Sequence, residues 1–269
     1  MDQSKLKQKW LEEQEAAHIR GWDFSHISGR YDEEQNLPWN YEQVIRLYLK
    51  DEMRLLDIDT GGGEFLLSLC HPYCYTSATE GYPPNVRLCE QTLLPLEIDF
   101  REMHKYDTMP FEDNSFDMVI NRHGNYDAAE LYRVLKPNGL FITQQVGSGN
   151  DRELIELLCP GLPKPFPTAT LKIQTEVFRK AGFIILRGEE AFRQIHFYDI
   201  GALVWFARII EWEFRDFCVE RSFDRLLQAQ RILKQNGSVD GTIHRYLIVA
   251  QKSDQIKHRI SGKTVRNAV

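Results

Sequence analysis

The stretch Leu55–Phe65 constrains the fold more than any other part of the chain. It reads Leu-Leu-Asp-Ile-Asp-Thr-Gly-Gly-Gly-Glu-Phe, so an apolar run meets acidic residues, three glycines and then the start of a second apolar segment. This order predicts a buried strand, a tight turn and a helix. Glycine suits such a turn because it adopts positive φ and lets a ligand approach the backbone closely. The alternative is a strand-to-helix turn that binds nothing, which three adjacent glycines also allow.

Strands and helices alternate after this turn. Further strands are predicted over Tyr75–Thr79, Leu96–Met103, Ser115–Asn121 and Leu140–Val146, with helices after Pro83 and over Ala128–Leu135. Alternation at this spacing predicts an α/β fold, a doubly wound and mostly parallel sheet with helices on both faces. In such sheets ligands bind beyond the carboxyl ends of the strands.

Two segments lie outside this minimal sheet. We expect an N-terminal helical extension over 1–50, a core over 51–188, a helical aromatic cap inserted over 189–242, a last core strand within 243–252 and a tail over 253–269. The complete sheet is predicted to have seven strands. Aromatic residues of the extension, among them Trp22, Phe24 and Trp39, are expected to pack on the core or on a ligand pocket. Aromatic residues of the insertion, such as Trp205, recur at helical spacing and are expected mainly in the core.

Composition excludes several classes of function. The formal net charge of −6 argues against a dedicated nucleic-acid-binding protein. The five cysteines form an odd set without a secreted disulfide pattern, which predicts a reducing, cytoplasmic location. The Cys70–Cys74 segment lacks a second pair of ligands at suitable spacing, so no metal site is predicted. The most apolar later run, Ile200–Ile210, is too short to span a membrane. The sequence does not indicate an oligomeric state.

Two more motifs follow the glycine turn in order. One is Pro-Phe-Glu-Asp-Asn-Ser-Phe-Asp-Met-Val from Pro110, and the other is Glu-Leu-Tyr-Arg-Val-Leu-Lys-Pro-Asn-Gly from Glu130. A further acidic residue, Glu80, ends the second predicted strand of the core. With these features the chain resembles the class I S-adenosylmethionine-dependent methyltransferases over Leu55–Val146, particularly the broad group that acts on small molecules.

The resemblance implies S-adenosylmethionine as the cofactor and gives its site. The implied cofactor-binding residues are Asp57, Asp59, Thr60, Gly61, Gly63, Glu80, Gly81, Tyr106, Asp107 and Asn121. The turn would hold the methionine portion, Glu80 the ribose hydroxyls, the Tyr106 loop the adenine, and Asn121 the sulfonium region. Two positions depart from the family pattern. Asp59 stands where the family usually has glycine, and Lys105 stands where an aspartate often contacts the adenine amino group.

Methyl transfer needs a base only if the acceptor atom starts protonated. His123 is the candidate, because it lies two residues beyond a predicted strand and imidazole titrates near neutrality. The alternative is a loop histidine that caps a backbone group. Asn121, Gln144 and Gln145 could hydrogen-bond a small-molecule acceptor, and Asn121 is the second catalytic candidate. The acceptor itself is not identified by any motif.

Three other interpretations stay open. A nicotinamide-binding domain also uses glycines followed by an acid, but Leu66 stands where its third glycine or alanine belongs. An RNA methyltransferase is suggested only by the short basic tail Lys257–Arg266. A protein that keeps the fold without the chemistry is suggested by Asp59 and Lys105.

Overall fold

The computed structural model describes residues 2–18 and 23–254, so Trp22 and the basic tail Lys257–Arg266 lie outside the described residues. The helices are α1 Gln3–Glu15, α2 Tyr41–Tyr48, α3 Glu64–Ser68, α4 Pro83–Thr92, α5 Ala128–Val134, α6 Arg152–Leu158, α7 Leu171–Lys180, α8 Ile200–Ile209 and α9 Phe223–Asn236. The strands are β1 Tyr31–Glu33, β2 Leu55–Ile58, β3 Thr76–Glu80, β4 Asp99–Glu102, β5 Phe116–Arg122, β6 Leu135–Val146, β7 Phe183–Phe197 and β8 Val239–Lys252.

One eight-stranded sheet with the order β1-β7-β8-β6-β5-β2-β3-β4 organises the described chain. The neighbouring pairs from β4 to β6 are parallel, whereas β8 runs antiparallel to both β6 and β7. The predicted Rossmann-like α/β class with a mostly parallel core is therefore confirmed. The sheet has eight strands, one more than the seven that the sequence predicts. The extra strand, β1, has three residues and no apolar alternation, and it forms by backbone pairing with the end of β7.

The insertion between β7 and β8 contains α8 and α9. The strand β7 continues to Phe197 and β8 already begins at Val239, so both ends of the range 189–242 expected for the cap belong to strands. The two strands pair with each other along this whole length. Charged residues such as Glu189 and Arg193 concealed the strand pattern in the sequence, since backbone pairing does not require apolar side chains.

The N-terminal extension packs against the insertion. Trp10 of α1 and Trp205 of α8 are each 1% exposed in one shared apolar core. Phe24 contacts the Trp205 ring edge-on, with centroids 5.7 Å apart. Arg30 joins both parts by donating hydrogen bonds to Glu13 and Asp199. The two added segments therefore form one unit at the β1 edge of the sheet.

Two further apolar cores cover the faces of the sheet. Residues Leu55, Met118 and Leu247 belong to one core, and residues Leu56, Val119 and Ile248 belong to the other. Neighbouring residues of one strand thus face opposite cores, as a sheet that is buried on both faces requires. Among the described residues, no helix combines the length and the apolar character needed to cross a membrane.

A matched pair of leucines tests the packing of the insertion. Leu203 of α8 is fully buried, whereas Leu47 of α2 is 72% exposed. Leu203→Ala should lower the free energy of unfolding by about 2–5 kcal/mol, because it leaves a cavity in the shared core. Leu47→Ala should change it by less than about 0.5 kcal/mol. Urea denaturation measures both, and equal effects would contradict the described packing.

Candidate functional site

The strand register brings the acidic residues to one edge of the sheet. Asp57 pairs with Ala78 of β3 and with Ile120 of β5, and Glu80 ends β3 beside Glu102 of β4. Because these strands are parallel, their carboxyl ends meet at the same edge. The glycine turn continues from β2 at this edge and lies beside Glu80.

The Glu80 carboxylate is 5% exposed and is bound by the backbone around it. Its Oε2 accepts a hydrogen bond from the Gly61 N–H at 2.8 Å. Its Oε1 accepts from the Gly81 N–H at 2.8 Å and from the Tyr82 N–H at 2.9 Å. The Asn85 amide donates to Oε2 over a longer 3.4 Å. Glu80 thus ties the glycine turn to the end of β3, and Asn85 makes the weakest of the four contacts.

Asp59 connects three loops at the same edge. It adopts a left-handed φ of 55°, and its Oδ2 accepts hydrogen bonds from the Tyr106 hydroxyl at 2.9 Å and from the Asn125 N–H at 3.0 Å. Nearby, the Thr60 hydroxyl donates to Asp57 at 2.7 Å. Asp59 therefore holds the loops after β4 and β5 against the glycine turn.

Two carboxyl groups at this edge, those of Asp57 and Asp59, resist ionisation. Burial raises the pKa of Asp57 to about 7, the Thr60 hydrogen bond opposes this, and the charges of Asp59 and Glu80 add to it. Burial also raises the pKa of Asp59 to about 6, against the Tyr106 hydrogen bond and with the charge of Glu80. In the part of the chain that the structure describes, no ion pair joins these carboxyl groups to a lysine or arginine. The edge is therefore electrostatically suited to a cation.

The glycines at the edge have distinct roles. Gly61 has a φ of +67°, and a Cβ added there would find no described atom within 4 Å, so the space above the turn is open. A Cβ on Gly81 would lie 2.3 Å from the Met103 carbonyl oxygen, which makes glycine necessary between β3 and β4. Gly63, with a φ of 86°, is the residue before α3.

Asn121 lies at the end of β5 and is fully buried. Its Nδ2 donates to the Ile58 carbonyl at 2.9 Å, and its Oδ1 accepts from Gln145 Nε2 at 2.6 Å. Gln145 also donates to the Gly124 carbonyl at 3.1 Å. The side chain of Asn121 therefore links β2, β5 and β6 beneath the edge.

His123 is held in one tautomer by a chain of hydrogen bonds. The Trp39 indole N–H, which is only a donor, donates to Gln144 Oε1 at 2.8 Å. This assignment leaves the Gln144 amide nitrogen to donate to His123 Nε2 at 3.2 Å. The remaining proton of the neutral imidazole is consequently on Nδ1. Trp39 therefore packs in an apolar core and also hydrogen-bonds Gln144, the residue that orients His123.

The positive charges of two nearby guanidinium groups also affect the pKa of the imidazole. Loss of hydration in a crowded part of the edge lowers the pKa of His123 well below its ordinary 6.5, and the charges of Arg245 and Arg122 act in the same direction. His123 is exposed to solvent, so this loss of hydration is partial. His123 is neutral at pH 7.

Other predicted residues lie less centrally. Asp107 and Lys105 are exposed on the loop after β4, beside the half-buried Tyr106. Sequence reasoning missed Asn125 and Gly124, whose contribution is a backbone N–H and the absence of a side chain. A Cβ on Gly124 would lie 2.5 Å from Asp59 Oδ2. No motif signals such roles.

Within 2–18 and 23–254, no group of three or more His, Cys, Asp or Glu side chains is placed to hold a metal ion.

Comparison with known proteins agrees with this architecture. Residues 56–143, roughly a third of the chain, match a family model described as "Methyltransferase domain". The resemblance to class I methyltransferases is thereby confirmed for this part of the chain. Comparison with curated proteins gave no match.

Three crystal structures illustrate the similarity of fold. A candidate methyltransferase from Bacillus halodurans C-125 aligns with a TM-score of 0.55 at 14% identity, covering 80% of this chain and 99% of that one. The YcgJ protein from Bacillus subtilis aligns with a TM-score of 0.52 at 17% identity, covering 79% and 97%. A functionally unknown protein from Deinococcus radiodurans R1 aligns with a TM-score of 0.51 at 12% identity, covering 82% and 92%. At such identities the likeness concerns the fold alone.

The raised pKa of Asp57 predicts an inverted pH dependence of stability. The carboxyl titrates near 3.8 in the unfolded chain and near 7 in the folded protein. Between these values the folded state retains a proton that the unfolded state has lost, so the free energy of unfolding should fall as the pH rises. Asp57→Asn should remove this fall, which is on the order of 1–4 kcal/mol.

Urea denaturation at pH 4, 5.5, 7 and 8 measures the effect. The exposed Asp51, which precedes the same strand, supplies the control Asp51→Asn. Parallel pH profiles for the wild-type protein and Asp57→Asn would show that the buried carboxyl is not the cause.

Proposed function

We propose that the protein is an S-adenosylmethionine-dependent methyltransferase that acts on a small-molecule acceptor. The observation that carries the proposal is the set of three carboxyl groups, Asp57, Asp59 and Glu80, around an open glycine turn without a cationic partner in the described residues. S-adenosylmethionine bears an ammonium and a sulfonium charge. Its binding would supply the positive charge that this edge lacks.

The residues present fit this cofactor. The open space above Gly61 leaves room for a ligand against the backbone. We place the methionine ammonium near Asp57 and Asp59, together with Thr60 and Gly63 of the turn. The ribose hydroxyls would bind Glu80 in exchange for the long Asn85 contact.

The adenine is placed beside the loop after β4. Tyr106 and Asp107 flank this part of the edge, and Gly81 permits the close approach of β3 and β4 there. Asn121 is proposed to support the sulfonium region from below, because its side chain ties Ile58 to Gln145. The adenine contacts would come from backbone groups and Asp107, since Lys105 replaces the aspartate of the family pattern.

The chemistry required of the chain is modest. When bound, the cofactor supplies a methyl group on a positively charged sulfur, which is an activated leaving group. The protein has to orient the acceptor and exclude water around it. His123 is neutral at pH 7 and can accept a proton at Nε2 if an acceptor N–H or O–H replaces the Gln144 amide there. We propose this exchange as the base step for an acceptor that starts protonated.

Calorimetric titration with S-adenosylmethionine and with its demethylated product tests the cofactor assignment. We expect saturable binding of both to the wild-type protein. The absence of heat at millimolar ligand would end the proposal.

Glu80→Gln should weaken cofactor binding by about 5- to 150-fold, equivalent to the roughly 1–3 kcal/mol lost when buried polar groups go unpaired. The control is Glu102→Gln on the paired position of β4, which is exposed and should bind the cofactor like the wild-type protein. Because Glu80 also holds the turn, urea denaturation of both variants should accompany the titrations. If folded Glu80→Gln binds the cofactor as tightly as the wild-type protein, Glu80 does not bind the ribose hydroxyls.

His123→Ala should leave cofactor affinity intact while turnover falls by about 10²- to 10⁴-fold, the usual contribution of a general base. Turnover is measured with methyl-labelled cofactor and fractionated cell extract, followed by mass spectrometry of the product. His26→Ala is the matched control, since the exposed His26 hydrogen-bonds Glu13 of α1 and none of the residues placed at the cofactor edge. Equal turnover in both variants would show that His123 has a structural role and is not the base.

A protein that keeps the fold without the chemistry is the second candidate. Its support is that Glu80 already accepts three backbone N–H groups and that Asp59 already binds Tyr106 and Asn125. This candidate predicts either no calorimetric binding of the cofactor, or binding with no labelled product from any extract fraction.

A further inference from the structure

The methionine portion of the proposed cofactor carries a negative charge as well as a positive one. Its ammonium is placed near Asp57 and Asp59, where the carboxyl groups favour a cation. Its carboxylate would be repelled by the same two residues and by Glu80, because like charges a few ångströms apart disfavour each other. Binding of this portion therefore requires a cation of the protein close to the glycine turn.

Arg122 lies at the required place on the edge. It is the last residue of β5. The residue before it, Asn121, pairs with Ile58 at the end of β2, so Arg122 lies level with the start of the glycine turn at Asp59. On its other side Arg122 pairs with Gln144 of β6. The residue is exposed, so a ligand can reach it from solvent.

An aromatic stack holds the guanidinium of Arg122 beside the glycine turn. Its Cζ lies 5.7 Å from the centroid of the Phe65 ring, and Phe65 follows Gly63 by two residues at the start of α3. Phe65 in turn stacks on the buried Tyr41, with centroids 5.4 Å apart. The Tyr41 hydroxyl donates to the carbonyl of Asn121 at 3.0 Å. The cation–π contact thus positions the guanidinium without occupying it with a negative charge.

The guanidinium of Arg122 has neither a hydrogen bond nor an ion pair among the described residues. Two other cations near the edge are committed or misplaced. Arg245, beside the end of β6, already donates to Asn150 Oδ1 at 2.6 Å and to the His244 carbonyl at 3.0 Å. Lys105 is on the loop after β4, where the adenine is placed, so the ribose would separate it from the methionine end. Of these three cations, Arg122 is therefore the one available to the carboxylate.

We propose that Arg122 binds the carboxylate of the methionine portion of the cofactor through the N–H groups of its guanidinium. This inference rests on the proposed function and deepens it, because it adds a cofactor-binding residue that lies outside the glycine turn. The planar guanidinium matches the two oxygens of a carboxylate. Asp57 and Asp59 on one side and Arg122 on the other would then recognise the two charges of an α-amino acid.

Two rival roles for Arg122 lead to different results. His123 is the next residue, so the guanidinium could bind an anionic group of the acceptor instead. In that case cofactor affinity would not depend on Arg122, although turnover would. Alternatively, Arg122 only covers the Phe65 ring, and then neither cofactor affinity nor turnover would depend on its charge.

Calorimetric titration of the full-length protein with two nucleosides tests the proposal. The demethylated product, S-adenosylhomocysteine, carries the amino-acid portion, whereas 5′-methylthioadenosine has the same nucleoside and sulfur without it. Arg122→Gln should weaken binding of S-adenosylhomocysteine by about 10- to 150-fold, the usual loss for hydrogen bonds to a charged group. It should change the affinity for 5′-methylthioadenosine by less than about twofold, because this ligand has no carboxylate.

Three further variants make the comparison specific. Arg122→Lys keeps the charge but not the planar fork, so it should weaken S-adenosylhomocysteine by roughly 3- to 10-fold and leave 5′-methylthioadenosine unchanged. Lys105→Gln removes a charge at the adenine end and should affect both ligands by the same factor. Arg225→Gln, at an exposed position of α9, should bind both ligands like the wild-type protein. Urea denaturation checks that each variant is folded, and Arg122→Lys carries the test if Arg122→Gln is not.

The outcomes separate this inference from the proposed function. If folded Arg122→Gln binds S-adenosylhomocysteine as tightly as the wild-type protein, or loses affinity for both ligands equally, Arg122 does not bind the carboxylate. The wild-type protein would still bind both ligands in that case, and the cofactor assignment would stand. If the wild-type protein binds neither ligand, both the cofactor assignment and the role of Arg122 are refuted.

Discussion

The carboxylate of Glu80 is the constraint on which the candidate site depends. It accepts hydrogen bonds from the backbone of Gly61, Gly81 and Tyr82, which belong to two different loops. Without it, these N–H groups would lose their acceptor close to the protein interior, at a cost of about 1–3 kcal/mol each. One side chain therefore sets both the shape of the glycine turn and its distance from β3.

Buried carboxyl groups without a cationic partner are the second main feature of the described residues. They occur at the cofactor edge, where burial raises the pKa of Asp57 and of Asp59. Protein interiors tolerate buried carboxyl groups when they are protonated or paired. A cationic ligand at this edge would favour their ionisation, so ligand binding and proton release are expected to be coupled.

The N-terminal extension is part of the site and not merely attached to it. Trp39 sets the orientation of Gln144 and through it the tautomer of His123. The Tyr41 hydroxyl bonds the carbonyls of Asn121 and Ile142 at 3.0 and 3.1 Å, across the ends of β5 and β6. The extension in turn is anchored to the insertion by their shared apolar core.

The sequence alone determined the fold class, the alternation of strands and helices and the location of the glycine turn, because these follow from local hydrophobic periodicity and from the conformational freedom of glycine. Only the tertiary structure decided the partners of Glu80, the tautomer of His123 and the length of β7 and β8. These depend on backbone pairing and on hydrogen bonds between residues that are distant in sequence, such as Trp39 and Gln144. Local patterns carry no information about such distances, since a buried carboxyl and an exposed one are written with the same residue.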